Sequence, residues 1–143
     1  MNLRRVFAAP GYSTFPDLAL LFTRLLAGVA FMFFGWSKIQ DPFGWMGPDS
    51  PVPGIFQALA AVAEFGGGMA WIVGLLTPLA SLGIAFTMAV AFAVVSLVYK
   101  MPFISKTGGV ASVLPALLFA IAILLMAFGP GRFSLDRKLF GLR

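Results

Sequence analysis

No charged residue occurs from Phe65 to Tyr99, and apolar side chains fill most of that stretch. A helix needs roughly 20 apolar residues to cross a bilayer, so the run is too long for one span and long enough for two joined by a tight turn. The composition agrees, because 60% of the residues are hydrophobic and 10% are charged, against roughly 45–50% and 25% in soluble domains. The sequence therefore predicts an integral membrane protein.

Apolar stretches separated by turn residues predict four transmembrane helices. A turn at Thr77-Pro78 separates the second and third spans, and a loop rich in Pro and Gly, residues 40–54, separates the first and second. We expect one domain over residues 1–143 and an all-α fold, a four-helix membrane bundle. The predicted spans are about 17–37, 55–76, 79–99 and 110–128.

The two ends of the chain are predicted to lie at the membrane surface. Met1 to Pro16 has no apolar run long enough for the core of a signal peptide, so we expect an amphipathic interfacial segment. The tail Gly129 to Arg143 begins with a Gly-Pro-Gly turn. Ser134 is then predicted to cap a short amphipathic helix that has Asp136 in its first turn.

The distribution of basic residues predicts the orientation. With four spans, both termini and the turn after the second span lie on one side of the membrane. Cytoplasmic segments are enriched in Lys and Arg, so both termini are predicted to be cytoplasmic. The basic residues on that side are Arg4, Arg5, Arg132, Arg137, Lys138 and Arg143, against Lys38, Lys100 and Lys106 on the other.

Several classes of chemistry are excluded within this chain. It has no Cys and no His, so it lacks thiolates and the usual ligands of membrane haem and copper centres. The acidic residues show no recognisable metal spacing, and no phosphate loop, dinucleotide fingerprint or nucleophile triad occurs. We expect no haem, no metal and no covalently bound cofactor. The net charge of +5 is explained by topology and anionic lipid rather than by nucleic acid.

Glu64 is the acidic residue that the sequence places deepest in the membrane. At about 1.5 Å per residue, Arg24 lies about 10 Å from the cytoplasmic end of its span and Glu64 about 18 Å from the end of its own. A contact between Arg24 and Glu64, direct or through one water, is therefore predicted. Two interpretations stay open: a proton-exchanging carboxyl or head-group anchor, and an ion pair that fixes helix register. Lys38 and Arg132, at span ends, are expected to snorkel to the interface.

Aromatic and small residues near Glu64 suggest a pocket and a close helix contact. The candidate walls of a pocket for a quinone head group are Phe31, Phe34, Phe65 and Trp71. Small residues let two helix backbones approach closely, and the predicted packing residues are Gly66, Gly67, Gly68, Ala70 and Gly74.

Three motifs of this chain resemble the DoxX family of small four-helix bacterial membrane proteins. They are Leu21-x-x-Arg24-Leu25-x-x-Gly28-x-x-Phe31-x-x-x-Gly35-x-x-Lys38, Ala63-Glu64-Phe65-x-Gly67-Gly68 followed by Gly74-Leu75-x-Thr77, and Gly129-Pro130-Gly131-Arg132-Phe133-Ser134-Leu135-Asp136. The resemblance implies a four-helix bundle, a multi-pass protein of the bacterial inner membrane. A further implication is association with membrane redox systems such as quinol oxidase or thiosulfate:quinone oxidoreductase assemblies. It also implies that Arg24, Lys38 and Glu64 are the polar positions to follow.

These observations leave three hypotheses for function. The first is a redox-associated subunit of a quinone-linked electron-transfer system, without a self-contained active site, that offers a quinone or lipid head-group pocket at Glu64. The second is a structural or assembly subunit that docks onto a larger membrane complex. The third, a transporter of a small solute or of protons, is less well supported because four spans show no internal repeat. The expected partners are membrane lipids and either proteins of a redox complex or further copies of the chain.

Overall fold

The computed structural model describes residues 14–140, and all regular structure in that range is helical. Three helices are long and apolar enough to cross a membrane, and a fourth apolar helix is shorter. The predicted all-α membrane bundle is therefore confirmed, while the interfacial segment expected over residues 1–16 lies almost entirely outside the described residues. The helices are α1 Thr14–Gln40, α2 Gly54–Val73, α3 Thr77–Ala93 with a π-helical continuation Val94–Val98, α4 Val113–Phe128 and α5 Leu135–Phe140.

The connection between α2 and α3 differs from the predicted turn. The predicted second span ran to residue 76, but α2 ends at Val73, and Gly74 follows with a left-handed φ of 70°. Pro78 lies inside the first turn of α3 rather than in the turn itself. This position suits proline, because an N–H in the first helical turn has no partner within the helix. Pro115 likewise lies in the first turn of α4.

Close contact between glycines sets the register of α1 against α2. A Cβ on Gly28 would lie 2.8 Å from the carbonyl oxygen of Gly68, and a Cβ on Gly35 would lie 2.6 Å from the amide nitrogen of Phe65. These distances are shorter than a carbon atom allows, so only glycine lets the two antiparallel backbones come this near. The register places Arg24 beside the end of α2 and Lys38 near the middle of α2.

The core of the bundle forms where α1, α2, α3 and α4 meet. Phe31 and Trp71 are fully buried there and pack edge to face with their ring centroids 5.4 Å apart. The indole N–H of Trp71 donates to the hydroxyl of Ser81 at 3.0 Å, so the polar atom of this large ring is satisfied inside the core. α4 contributes Leu118, Ala122 and Leu125. The outward faces carry exposed Phe, Leu and Val side chains, as expected for helices surrounded by lipid.

On the side of the bundle where the chain termini lie, the helices end at two different levels. α1 begins with Asp17 in its first turn, whereas α2 and α4 end near Arg24, since Arg24 reaches the carbonyl oxygens of Trp71 and Pro130. From Asp17 to Arg24 the helix rises about 10 Å. Residues 129–140, which we call the C-terminal clasp, lie beneath α2 and α4 in this layer and return to Asp17 through Arg132.

Candidate functional site

Lys38 and Glu64 form an ion pair inside the bundle. The ammonium nitrogen lies 2.6 Å from each carboxylate oxygen, and the two side chains are 19% and 4% exposed. The predicted contact between Arg24 and Glu64 is therefore wrong. The register of α1 against α2 explains the difference, because it brings Lys38 within one helical turn of the level of Glu64. The expected snorkelling of Lys38 to the interface is also wrong, since its ammonium group points to Glu64.

The loop after α1 covers this ion pair. The Lys38 ammonium lies 4.4 Å from the ring centroid of Trp45, a cation–π contact worth about 0.5–2 kcal/mol depending on desolvation. Trp45 is held in place because its indole N–H donates to the Gln57 carbonyl oxygen at 3.1 Å. The buried Gln57 amide accepts from the Met46 N–H at 3.0 Å and donates to the Val52 carbonyl oxygen at 2.8 Å. These hydrogen bonds hold the loop and α2 together over the Lys38–Glu64 pair.

The Lys38–Glu64 pair can donate and accept hydrogen bonds at one place. Its ammonium group has three donors and its carboxylate several acceptor positions. Together the two groups are electrically neutral, which lowers the cost of holding them in an apolar bundle. An arrangement of this kind can bind a molecule that carries a carbonyl or hydroxyl oxygen, and it can exchange a proton with it.

The aromatic side chains predicted as pocket walls fall into two groups. Phe31 and Trp71 are fully buried in the core, so both rings are occupied by packing. Phe65 instead contacts Trp36, with ring centroids 5.9 Å apart, and Trp36 is more than half exposed. Phe65 follows Glu64 and Trp36 precedes Lys38 by two residues, but helix residues at this spacing point in different directions. The two rings therefore form a partly exposed aromatic patch near the level of the ion pair, and the ring that contacts the pair itself is Trp45. Sequence reasoning did not connect these two rings.

Arg24 is satisfied by backbone carbonyl groups. Its guanidinium is fully buried and donates to four carbonyl oxygens: Trp71 at 2.9 Å, Phe133 at 3.1 Å, Ile72 at 3.4 Å, and Pro130. The last carbonyls of α2 have no partner within their helix, and the guanidinium supplies it. Arg24 thus joins α1 to the end of α2 and to the C-terminal clasp, which makes it a structural residue.

Asp136 binds backbone N–H groups at the end of the bundle where the chain termini lie. The Asp136 carboxylate accepts from the N–H groups of Leu76 and Thr77 at 2.6 and 2.8 Å. It therefore caps the N-terminus of α3, although it belongs to α5. The Asp136 N–H donates to the Gly74 carbonyl oxygen at 2.8 Å. The Asp136 carboxylate, only 1% exposed, also interacts electrostatically with the Arg24 guanidinium.

Two further contacts complete the C-terminal clasp. Asp17 accepts from the Arg132 N–H at 2.9 Å, and its second oxygen lies 3.6 Å from Arg132 Nε. Ser134 accepts from the Arg137 N–H at 3.3 Å, so the predicted cap of the last helix is confirmed. The Arg132 side chain is 43% exposed beside Asp17, and its snorkelling to the interface stays a prediction. Two segments that are distant in sequence are therefore joined at one end of the bundle.

The predicted packing residues do not all face the same way. Gly67 faces Ile84 of α3, Gly68 faces Gly28 of α1, and Gly74 lies beside Arg24. Gly66 packs against nothing among the described residues, since a Cβ there would meet no atom within 4 Å. With half-buried Ala70 it lines a shallow apolar cleft of about 260 Å³ on the outer surface of α2.

The fold and the buried charges define a multi-pass helical membrane protein. A sequence profile of the DoxX family matches residues 19–97, more than half of the chain, and the protein belongs to this family. It is 31% identical over 129 residues to the inner membrane protein YqjF of Escherichia coli (strain K12), an alignment that covers 86% of this chain and 93% of that protein. No solved structure shows significant similarity. The predicted location, a multi-pass protein of the bacterial inner membrane, is confirmed.

Proposed function

We propose that this protein is a redox-associated subunit of a quinone-linked electron-transfer system, and that the Lys38–Glu64 pair receives the polar head group of a quinone. The DoxX resemblance supports the redox association. The chain contains no Cys and no His, so within such a system the electrons are carried by the quinone or by a partner subunit. The contribution of this chain is the binding site.

The observation that carries the proposal is the ion pair itself. Its nitrogen and oxygens are 2.6 Å apart in an apolar bundle, while Lys38 remains about one fifth exposed. Lys38 can donate to a quinone carbonyl oxygen, and Glu64 can accept from the hydroxyl group of the quinol. The ring of Trp45, whose centroid lies 4.4 Å from the Lys38 ammonium nitrogen, offers a flat apolar surface beside the pair for a quinone ring.

Quinone content and quinone binding of the purified protein test the proposal. The protein is extracted in mild detergent with native lipids, and its quinones are quantified by chromatography for the wild type, Glu64→Gln and Asp49→Asn. Asp49 lies exposed in the loop, so its variant controls for the change from acid to amide. We expect quinone in the wild type and in Asp49→Asn, with about tenfold less in Glu64→Gln, the effect of losing a charged hydrogen bond worth about 1.5 kcal/mol. A wild type that neither contains quinone nor binds a short-chain quinone on titration contradicts the proposal.

A second function, that of a structural or assembly subunit, is favoured by the open surface at Gly66. Arg24 is used entirely within the fold, and Gly66 leaves a surface on which another helix backbone could lie closely. Gly66→Leu fills this surface, whereas Gly109→Leu places the same side chain in an exposed loop. If the protein acts in assembly, a defined complex seen on native gels is lost in Gly66→Leu and kept in both Gly109→Leu and Glu64→Gln.

A further inference from the structure

We propose that the outward side of α5 binds anionic phospholipid in the leaflet that faces the chain termini. The two sides of α5 differ. Asp136 points into the bundle and is 1% exposed, whereas Leu139 is 64% exposed. Lys138 is exposed and Arg137 is half-buried. One side of α5 therefore contacts the bundle through Asp136. The other side presents the cations Arg137 and Lys138 and apolar side chains such as Leu139.

The position of α5 along the bundle matches the level of lipid head groups. The 20 residues of α2, Gly54–Val73, rise about 30 Å, which matches the ~30 Å thickness of the hydrocarbon layer. The start of α5 lies just beyond the Val73 end of α2, because the Asp136 N–H donates to the Gly74 carbonyl oxygen. Arg137 and Lys138 follow Asp136 directly and so lie at this boundary of the layer, where lipid head groups begin.

The charges around α5 favour an anion. Asp136, the one acidic residue from Gly129 to Arg143, is buried and accepts from the N–H groups of Leu76 and Thr77. Asp17 is similarly engaged with Arg132. Within the described part of the chain, neither Arg137 nor Lys138 forms an ion pair. Two cations that form no ion pair within the described residues are complementary to an anionic surface.

The apolar neighbours favour a lipid over a soluble phosphate. Phe133, Leu135 and Leu139 are 48%, 38% and 64% exposed on the segment that carries the two cations. An amphipathic segment with basic and apolar side chains binds at the boundary between head groups and acyl chains. A soluble phosphate would gain nothing from these three side chains.

Lipid binding on α5 is linked to the fold through Asp136. The same helix that presents Arg137 and Lys138 caps α3 with its Asp136 carboxylate. A ligand that binds only the folded protein stabilises that state by RT ln(1 + L/Kd), where L is the free ligand concentration. Anionic lipid should therefore raise the unfolding temperature of this protein, and the rise should depend on the two cations.

A titration with short-chain lipids tests the proposal. Detergent-solubilised protein is titrated with dioctanoyl phosphatidylglycerol or dioctanoyl phosphatidylcholine, and the unfolding temperature is followed. The double variant Arg137→Gln/Lys138→Gln is compared with Lys100→Gln/Lys106→Gln, which removes the same charge from exposed or loop positions at the other end of the bundle. We expect phosphatidylglycerol, and not phosphatidylcholine, to stabilise the wild type and the control. The apparent affinity of the α5 variant should be about 30-fold weaker, since each cation near an anionic surface contributes about a fivefold factor.

Three outcomes would overturn the proposal. The first is equal affinity of both double variants for phosphatidylglycerol, and the second is equal stabilisation by phosphatidylcholine. The third is an equal effect of inorganic phosphate, which would identify a soluble anion as the ligand. If the α5 double variant does not fold, the single variants Arg137→Gln and Lys138→Gln are compared in the same way, and each should weaken binding about fivefold.

Discussion

At the residue scale, the two cations of α1 are matched to different partners. Arg24 meets four carbonyl oxygens from α2 and the clasp, and a planar guanidinium with five N–H donors can reach all of them. Lys38 meets one carboxylate and one indole ring, which suits a compact ammonium group. Arg24 therefore acts as a joint between segments, and Lys38 as half of a charge pair.

Removing Lys38 should destabilise the protein more than removing the charge of Glu64. In Lys38→Met the Glu64 carboxylate, 4% exposed, is left unpaired, and such a loss costs about 3–5 kcal/mol. In Glu64→Gln the Lys38 ammonium is 19% exposed and can turn toward water, so a smaller loss is expected. Thermal unfolding in detergent measures both. The variant Lys38→Met/Glu64→Gln should recover part of the loss, and strictly additive effects would show that the pair contributes no coupling.

Arg24→Lys should be strongly destabilising although it preserves the charge. The carbonyl oxygens of Trp71, Ile72 and Phe133 lie around the planar guanidinium of Arg24. The ammonium group of a lysine cannot bond to all three of them. Leaving even one or two buried acceptors unpaired costs about 2–4 kcal/mol. Arg137→Lys, at a half-buried position on α5, serves as the matched control and should unfold within about 2 °C of the wild type. Equal unfolding temperatures for the two variants would contradict this role of Arg24.

The partner of Glu64 could not be predicted from the sequence, although its burial could. The depth estimate assumed that both spans end at the same level, whereas α2 ends beside Arg24, about 10 Å above Asp17. The pairing of charges depends on the register of α1 against α2. That register is set by the contacts of Gly28 and Gly35 with α2. The spacing of residues within α1 or within α2 does not show which residues these glycines contact.

At the scale of helices, α1 and α2 depend on glycines that have no room for a side chain. Gly68 lies against the Gly28 carbonyl oxygen, whereas Gly66, two residues earlier, faces open space. The sequence predicted five packing residues from Gly66 to Gly74, but it did not show which small residues of α2 would face α1. Every face of this helix carries a small residue, so spacing alone does not select one.

Gly68→Ala and Gly66→Ala should have opposite effects. A methyl group on Gly68 would lie 2.8 Å from a backbone carbonyl oxygen and 2.9 Å from the Met32 amide nitrogen, so the helices must move apart at a cost of about 1–3 kcal/mol. A methyl group on Gly66 meets no atom within 4 Å and should stabilise the helix by up to about 1 kcal/mol. The unfolding temperatures of both variants and of the wild type, measured in the same detergent, test these two expectations. A similar loss in both would mean that Gly66 is packed in the isolated protein.

At the scale of the whole molecule, the C-terminal clasp completes one end of the bundle. The turn from Gly74 to Leu76 lies at the end of α2, about 10 Å above Asp17, and the N–H groups at the start of α3 have no partners within that helix. The clasp covers them through Asp136 and through its contact with Arg24. The Ser134 cap was predictable because it is local in sequence. The role of Asp136 was not, since it joins residues about sixty positions apart.

Asp136→Asn should open this end of the bundle without unfolding the rest. An amide oxygen can accept from only one of the two N–H groups of Leu76 and Thr77 in the present geometry, and the negative charge beside Arg24 is lost. Together these losses should cost about 2–3 kcal/mol. Amide hydrogen exchange should accelerate at Leu76 and Thr77 and stay slow in the core around Trp71, with Asp49→Asn as a control that changes neither. Unchanged exchange at the two amides would show that the turn is held by α2 and α3 alone, and that the clasp covers the bundle without supporting it.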